Sequence, residues 1–437
     1  MIFEIPAHHT VFSECLPQFI ELIGRHRWDR QVQIYNTEAK TSPFLWKVVA
    51  DYHWLEVCLG FQQGSLQRTG SVLSEEFSEL DIVALTFAAS VVRIHERLYP
   101  AEQRQTVGRL RDSLKSSSGF APIFLEVMTA VQMIKWGYDV SFPDLDGSGS
   151  HDLSFEKDGV RGEIECKSLT ADAGRQVHRR DFWRLMELVR QSLEAAVTRE
   201  RTVVVVTMEG RLLPKEAELR RIAEAIEGAL DTDPTAQLQY QGFRIDRQRY
   251  EHCLADAPIE DASGFWEHCQ SVFGANAHIA GAVSEETGCL IVVRSDREDD
   301  TSKPWLAAMR KGAAQLSGQK AGFLVVQFQD IEPRDLLKFH FRRRAAILSA
   351  AVVGHYEHRH VNAVVVQGYQ THSITPNEVG VFGFSILSPE PTYPLPVGTP
   401  EPLLSSVPTE AFAAAMGEPT PEEDITYISA DRLYDGQ

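Results

Sequence analysis

Apolar residues recur along the first hundred positions at the spacing of helices. From about Ser74 to Leu98 they fall at Phe77, Leu80, Ile82, Val83, Leu85, Phe87, Val91, Val92, Ile94 and Leu98. Ser74 would cap such a helix and Pro100 would stop it. The stretch from about Ser42 to Gln63 reads the same way, with Trp46, Val48, Val49, Trp54, Leu55, Val57 and Leu59 as core residues. Residues 1–112 are therefore predicted to form a helical N-terminal region.

The rhythm changes after Ser116-Ser117-Ser118-Gly119. Pro122 suits the first turn of an apolar helix running to Trp136, with Gly137 as its stop. A short strand over 138–142 follows, then a loop over 143–150 rich in Pro, Asp, Gly and Ser. Strands are predicted over about 151–156 and 160–168, and a helix over about 176–197. Residues 202–207 are a continuous β-branched run, the pattern of a strand covered on both faces. Helix, three strands, helix, strand describes an α/β domain over 113–234. A further α/β region over 235–388 has strands near 276–282, 288–295, 321–328, 361–368 and 379–386, with helices near 303–317 and 333–357. Nine prolines between Pro389 and Pro421 mark 389–437 as a Pro-rich tail, extended or partly disordered, with a short docking element at 425–433.

Charge narrows the function. Lys plus Arg number 43 against 61 Asp plus Glu, a net charge of −18, which argues against a polybasic phosphate-coating protein and leaves room for a local basic groove. The first residues lack the basic and apolar regions of a signal peptide, and no run of about 18 uncharged apolar residues suggests a membrane span. The six cysteines are scattered without a C-x-x-C pair, as expected of buried thiols in a cytoplasmic protein. His252-Cys253 and His268-Cys269 are adjacent pairs, which rarely converge on one zinc ion. His355, His358 and His360 read as a polar helix end. No phosphate loop, dinucleotide fingerprint, HExxH or GxSxG motif occurs.

The chemistry concentrates between His151 and Lys167. Asp158-Gly159 separates two alternating runs and predicts a two-residue type I′ hairpin. Centred there, the hairpin sets Asp152 opposite Glu165 and gathers Glu163, Glu165 and Lys167 on the same face. Leu153, Phe155, Ile164 and Cys166 then point into the core. Glu126 sits in a helix that is apolar on nearly every side, a costly place for a carboxylate unless it meets a cation, a metal or donors.

In order and in residues, 119–210 resembles the PD-(D/E)xK superfamily of nucleases, which has the restriction-endonuclease-like fold. Glu165-Cys166-Lys167 matches the (D/E)xK half, Asp152 the first acid, and Glu126 the helix glutamate of many members. Asp152 follows His151, and the literal Pro-Asp pair is Pro143-Asp144; the metal-binding acid is assigned to Asp152, with Pro143-Asp144 set aside. The resemblance implies a restriction-endonuclease-like α-β-β-β-α-β core, between the helical N-terminal region and the C-terminal α/β region. It also implies hydrolysis of phosphodiesters with Mg²⁺ or Mn²⁺ held by Asp152, Glu165, the Cys166 carbonyl and Glu126. In that family the metal polarises a phosphoryl oxygen and activates water, and Lys167 would orient the water or stabilise the charge that develops.

Arg175, Arg179 and Arg180, just after the hairpin, are candidate nucleic-acid contacts. The basic residues Lys303, Arg310, Lys311, Lys320, Arg334, Lys338, Arg342, Arg343 and Arg344 form a candidate backbone-tracking patch. The hairpin at 278–295, the 303–317 helix and the 322–328 strand repeat the order of the first domain, and read either as an unrelated α/β module or as a degenerate second copy that has lost its acids. The expected function is a cytoplasmic, divalent-metal-dependent nuclease acting on DNA, with restriction or anti-phage defence as a setting and a homo-oligomer or defence-system protein as partner. The alternative is a non-catalytic nucleic-acid-binding or assembly subunit that keeps the fold.

Overall fold

The computed structural model describes residues 9–394, apart from 75–76, 171, 233–236, 275, 330–338 and 376–377. Six helices come first: α1 (His9–Ile23), α2 (Arg25–Thr41), α3 (Pro43–Tyr52), α4 (Trp54–Thr69), α5 (Glu79–His95) and α6 (Pro100–Ser113). Then α7 (Ala121–Lys135) leads through β1 (Asp139–Ser141) and the one-turn helix α8 (Pro143–Asp146) to the hairpin β2 (Leu153–Lys157) and β3 (Val160–Thr170). The chain continues through α9 (Arg179–Leu188), α10 (Arg190–Val197), β4 (Thr202–Met208) and α11 (Glu216–Leu230). Next come the hairpin β5 (Gln237–Tyr240) and β6 (Phe243–Arg249), α12 (Tyr250–Cys253), α13 (Ala262–Phe273) and the hairpin β7 (His278–Val283) and β8 (Gly288–Ser295). It closes with α14 (Ser302–Gln315), β9 (Ala321–Gln329), α15 (Phe339–Val353), β10 (Val361–Thr375) and β11 (Glu378–Leu387).

These elements form two compact units. One holds the described residues of 9–35, 50–170 and 304–394, the other those of 36–49 and 172–303. The first contains a six-stranded mixed sheet in the order β1-β2-β3-β9-β10-β11. Its central strands β3, β9 and β10 run parallel, and β9 is buried along its whole length, as a strand covered on both faces must be. Hairpin pairing runs from Leu153 opposite Ile164 to Lys157 opposite Val160. Asp158 (φ 50°) and Gly159 (φ 81°) make the turn, and positive φ at both central residues is the type I′ signature. The register read from the sequence therefore holds. Leu153, Phe155, Ile164 and Cys166 pack in one core with Phe87, Phe124 and Met133 of α5 and α7.

In the second unit a five-stranded sheet has the order β5-β6-β4-β8-β7, with β4 and β8 parallel. Val204, Val206, Ile291 and Val293 face Phe182, Leu185, Ile222 and Ile226, while Val203, Val205, Leu290 and Val292 face Tyr250, Phe265 and Cys269. The protein is thus mixed α/β with two mixed sheets, and among the described residues no helix is long and apolar enough to cross a membrane.

Several sequence expectations are corrected here. Strand 202–208 does not complete the sheet of the first hairpin; β9 takes that place beside β3, and β4 joins β8. Both runs are continuous and apolar, so pattern alone could not say which sheet each enters. Of the two readings of the repeated order, the second copy fails, since its hairpin (β7–β8) and its strand (β9) belong to different sheets. The consecutive division at 112, 234 and 388 differs from the two units, because 172–303 is inserted between β3 and α14 and 36–49 joins the inserted part. The 42–63 and 176–197 helices are each broken in two, at His53 and Val189. The Pro-rich segment from residue 395, the docking element at 425–433, and Arg334 and Lys338 of the basic run lie outside the described residues, as does the side chain of Arg342.

Candidate metal centre

Asp152 stands just before β2, where the hairpin register extends to set it across from Glu165. Its Oδ2 accepts a hydrogen bond from the Cys166 backbone N–H at 2.7 Å. A strand residue directs its N–H and C=O to the same side, so the Cys166 carbonyl also faces the Asp152 side rather than β9. The Cys166 side chain turns the other way and is buried beside Thr129. Glu165 is 1% exposed. One of its oxygens, Oε1, accepts from Lys167 Nζ, and the other, Oε2, is buried and, among the described residues, without a hydrogen-bond partner. Lys167 also donates to Gln315 Oε1 at 2.7 Å.

Gln315 closes α14, and its Nε2 donates to the Ser150 carbonyl at 3.1 Å, so one side chain ties the lysine to the loop that carries Asp152. Gly312, one turn earlier, makes room for the lysine stem: a Cβ there would lie 3.0 Å from Lys167 Cε and 2.6 Å from Leu324 Cδ1. Gln315 and Gly312 lie about 150 residues from the hairpin in sequence and left no local signal.

Glu126 projects from α7, as expected, toward the hairpin acid. The carboxylates of Glu126, Asp144 and Asp152 come within 4.8 Å of one another. Asp144, set aside on the sequence, belongs in this cluster. Pro143, Leu145 and Phe142 are buried around the single turn of α8, and this anchoring holds the Asp144 carboxyl inward. Glu165 lies outside that trio but beside it, close enough to feel the Asp152 charge.

A cation that the sequence did not suggest enters the cluster. Arg109 of α6 donates through Nη2 to both oxygens of Glu126, at 2.6 and 2.5 Å, and through Nη1 to Asp144 Oδ2 at 2.7 Å. Among the described residues Asp144 Oδ1 is buried and unpartnered.

Burial and mutual repulsion leave these acids reluctant to ionise. Burial, then the Asp152 charge, push Glu126 up to about 8 against the pull of Arg109. Burial raises Asp144 to about 6 and Glu165 to about 7, with Asp152 adding to both. Asp152 is raised by burial, with the Cys166 N–H opposing. Although burial works against it, Arg109 is held above its ordinary value by Glu126 and Asp144. Crowded carboxylates with partnerless inward oxygens are what a hard divalent cation relieves. The donor set of carboxylates and one backbone carbonyl fits Mg²⁺ or Mn²⁺ better than zinc.

The remaining candidates have other partners. Glu163 shares the hairpin face, but Ser317 donates to it through its N–H (2.8 Å) and Oγ (2.7 Å), and Lys320 lies 3.6 Å away. Burial would raise its carboxyl, yet the Ser317 bonds and the charges of His151 and Lys320 hold it below its usual range. Glu163 therefore pins the α14–β9 connection to β3 and is a structural residue. Arg175, Arg179 and Arg180 belong to the other compact unit; the Arg175 and Arg179 backbone amides bond Asp172 near the start of α9. No protein-family model and no curated protein matches the chain.

Proposed function

We propose that the protein is a divalent-metal-dependent nuclease of the restriction-endonuclease-like kind, hydrolysing phosphodiester bonds in DNA. One observation carries the proposal: the type I′ hairpin sets Asp152, Glu165 and Lys167 together at the end of the sheet, with Glu126 of α7 against them. The element order supports it too. With 172–303 set aside as an insertion, and apart from the one-turn helix α8 between β1 and β2, α7, β1, β2, β3, α14 and β9 follow one another as α-β-β-β-α-β within one unit. Two parallel strands, β3 and β9, lie at the centre.

Asp152 Oδ1, Glu165 Oε2 and the Cys166 carbonyl would hold the ion, with Asp144 Oδ1 close by. When bound, a divalent ion supplies Lewis acidity at the scissile phosphate and a more acidic water. The chain's own groups do the rest. Asp152 is oriented by the Cys166 N–H. Lys167, held by Glu165 and Gln315, presents an ammonium to the attacking water and to the negative charge that grows on the phosphorane. Gln315 keeps that amine aligned. The test is incubation of the full chain with plasmid and single-stranded DNA plus Mg²⁺ or Mn²⁺. Cleavage abolished by EDTA is the expected result; intact DNA with every divalent ion would favour the non-catalytic assembly role.

A further inference from the structure

Arg109 bridges two acids of the cluster, Glu126 and Asp144. We propose that its guanidinium is a built-in replacement for a second cation, so that the centre takes one divalent ion and no more. The inference rests on the metal-centre reading above and goes beyond it, by giving the ion count and the residue that sets it.

Three observations support it. First, the guanidinium consumes the donor atoms a second ion would need: both oxygens of Glu126 and Oδ2 of Asp144 are hydrogen-bonded to it. Second, few acceptor oxygens are left over. Among the described residues Asp144 Oδ1 and the Oε2 of Glu165, itself 1% exposed, are without a hydrogen-bond partner, and the Cys166 N–H engages Oδ2 of Asp152. Few free oxygens remain, enough for a single ion. Third, the charges close. Once ionised, Glu126, Asp144, Asp152 and Glu165 carry four negative charges, Arg109 and Lys167 carry two positive ones, and the remainder of two matches one divalent ion. Arginine suits the part because it stays charged when buried and its two terminal nitrogens reach two different carboxylates, Nη2 that of Glu126 and Nη1 that of Asp144.

The role is one of positioning: Arg109 holds Glu126 and Asp144 without itself touching the reacting atoms. Its test is a count of bound ions rather than an activity. The chelator-treated full chain is titrated with Mn²⁺ alone, and binding is followed by calorimetry and by the electron paramagnetic resonance of free Mn²⁺. Wild type should bind one ion per chain, Arg109→Lys one, and Arg109→Gln two. Arg109→Gln leaves buried carboxylates unpaired and can fail to fold, so two further variants decide the matter independently. Glu126→Gln, with Arg109 kept, lowers the negative charge and should weaken the single ion by more than about tenfold. The double variant Arg109→Gln/Glu126→Gln restores the charge balance and should bind one ion with near wild-type affinity. Two ions on wild type, one on a folded Arg109→Gln, or no recovery in the double variant would overturn the role of Arg109 while leaving a metal centre in place. If neither wild type nor any variant binds Mn²⁺, the metal centre falls and this inference with it.

Discussion

Raising the pH without divalent cations should destabilise the unit that carries the acidic cluster. Glu126 is 12% exposed at its side chain and pushed from the ordinary 4.5 up to about 8, by burial first and then by the Asp152 charge. Between those two values the folded chain holds a proton that the unfolded chain has released, so stability is full below about 4.5 and falls until about 8. At ~1.4 kcal/mol for each pH unit in that window, ionising this one group inside the fold costs on the order of 5 kcal/mol. Arg109 is already counted in that balance. Glu165 (about 7) and Asp144 (about 6) act in the same direction, though the three share one repulsion and their costs do not simply add. A bound divalent ion keeps the carboxylates ionised and removes the penalty, so the stabilisation it gives should grow as the pH rises. The assay is thermal unfolding at several values between about pH 5 and pH 8.5, with EDTA and with excess Mn²⁺. Hydrogen exchange over 121–135 and 160–170 assigns the change to this unit. Glu126→Gln should flatten the EDTA curve. A pH-independent melt in EDTA, or the same Mn²⁺ effect at both ends of the range, would refute the electrostatic reasoning.

Asp152→Asn should lose Mn²⁺ affinity by more than about tenfold, since a neutral amide is a far poorer ligand for a hard cation, while the fold survives; calorimetry alongside circular dichroism reads both. Glu163→Gln should lower stability by about 1–3 kcal/mol, because a charged acceptor of two Ser317 bonds is replaced, and leave Mn²⁺ binding unchanged. Gly312→Val should displace the Lys167 stem, which a Cβ would approach at 3.0 Å, so that DNA cleavage drops while Mn²⁺ still binds; unimpaired cleavage would show that the lysine does not depend on that close approach.

Much of the site was legible in local sequence. Asp158-Gly159 set the hairpin register, and with it the facing of Asp152, Glu165 and Lys167, because a two-residue turn and a period of two leave little freedom. Glu126 stood out as a charge in an apolar helix, and it does turn to the hairpin. What stayed hidden is what depends on long-range folding. Arg109, Gln315 and Gly312 come from helices whose own sequence gives no reason to meet β3. Asp144 was misjudged because a four-residue helix, anchored by Phe142 and Leu145, was read as a loop. The sheet partners of β3 and β4 were exchanged because three buried strands, β4, β8 and β9, share one pattern of continuous apolar residues. An insertion of 172–303 then carries the true neighbour of β3 far down the chain.

The central claim, that this cluster hydrolyses nucleic acid, is tested most directly by comparing wild type with Lys167→Ala for cleavage and for DNA affinity in the same Mn²⁺ buffer. Wild type should cleave and stop on addition of EDTA. Lys167→Ala should lose cleavage by more than about hundredfold with DNA affinity little changed, since one amine among many contributes little to a salt-dependent backbone interaction. DNA left intact by the wild type under every divalent ion, or cut equally well by Lys167→Ala, would contradict it.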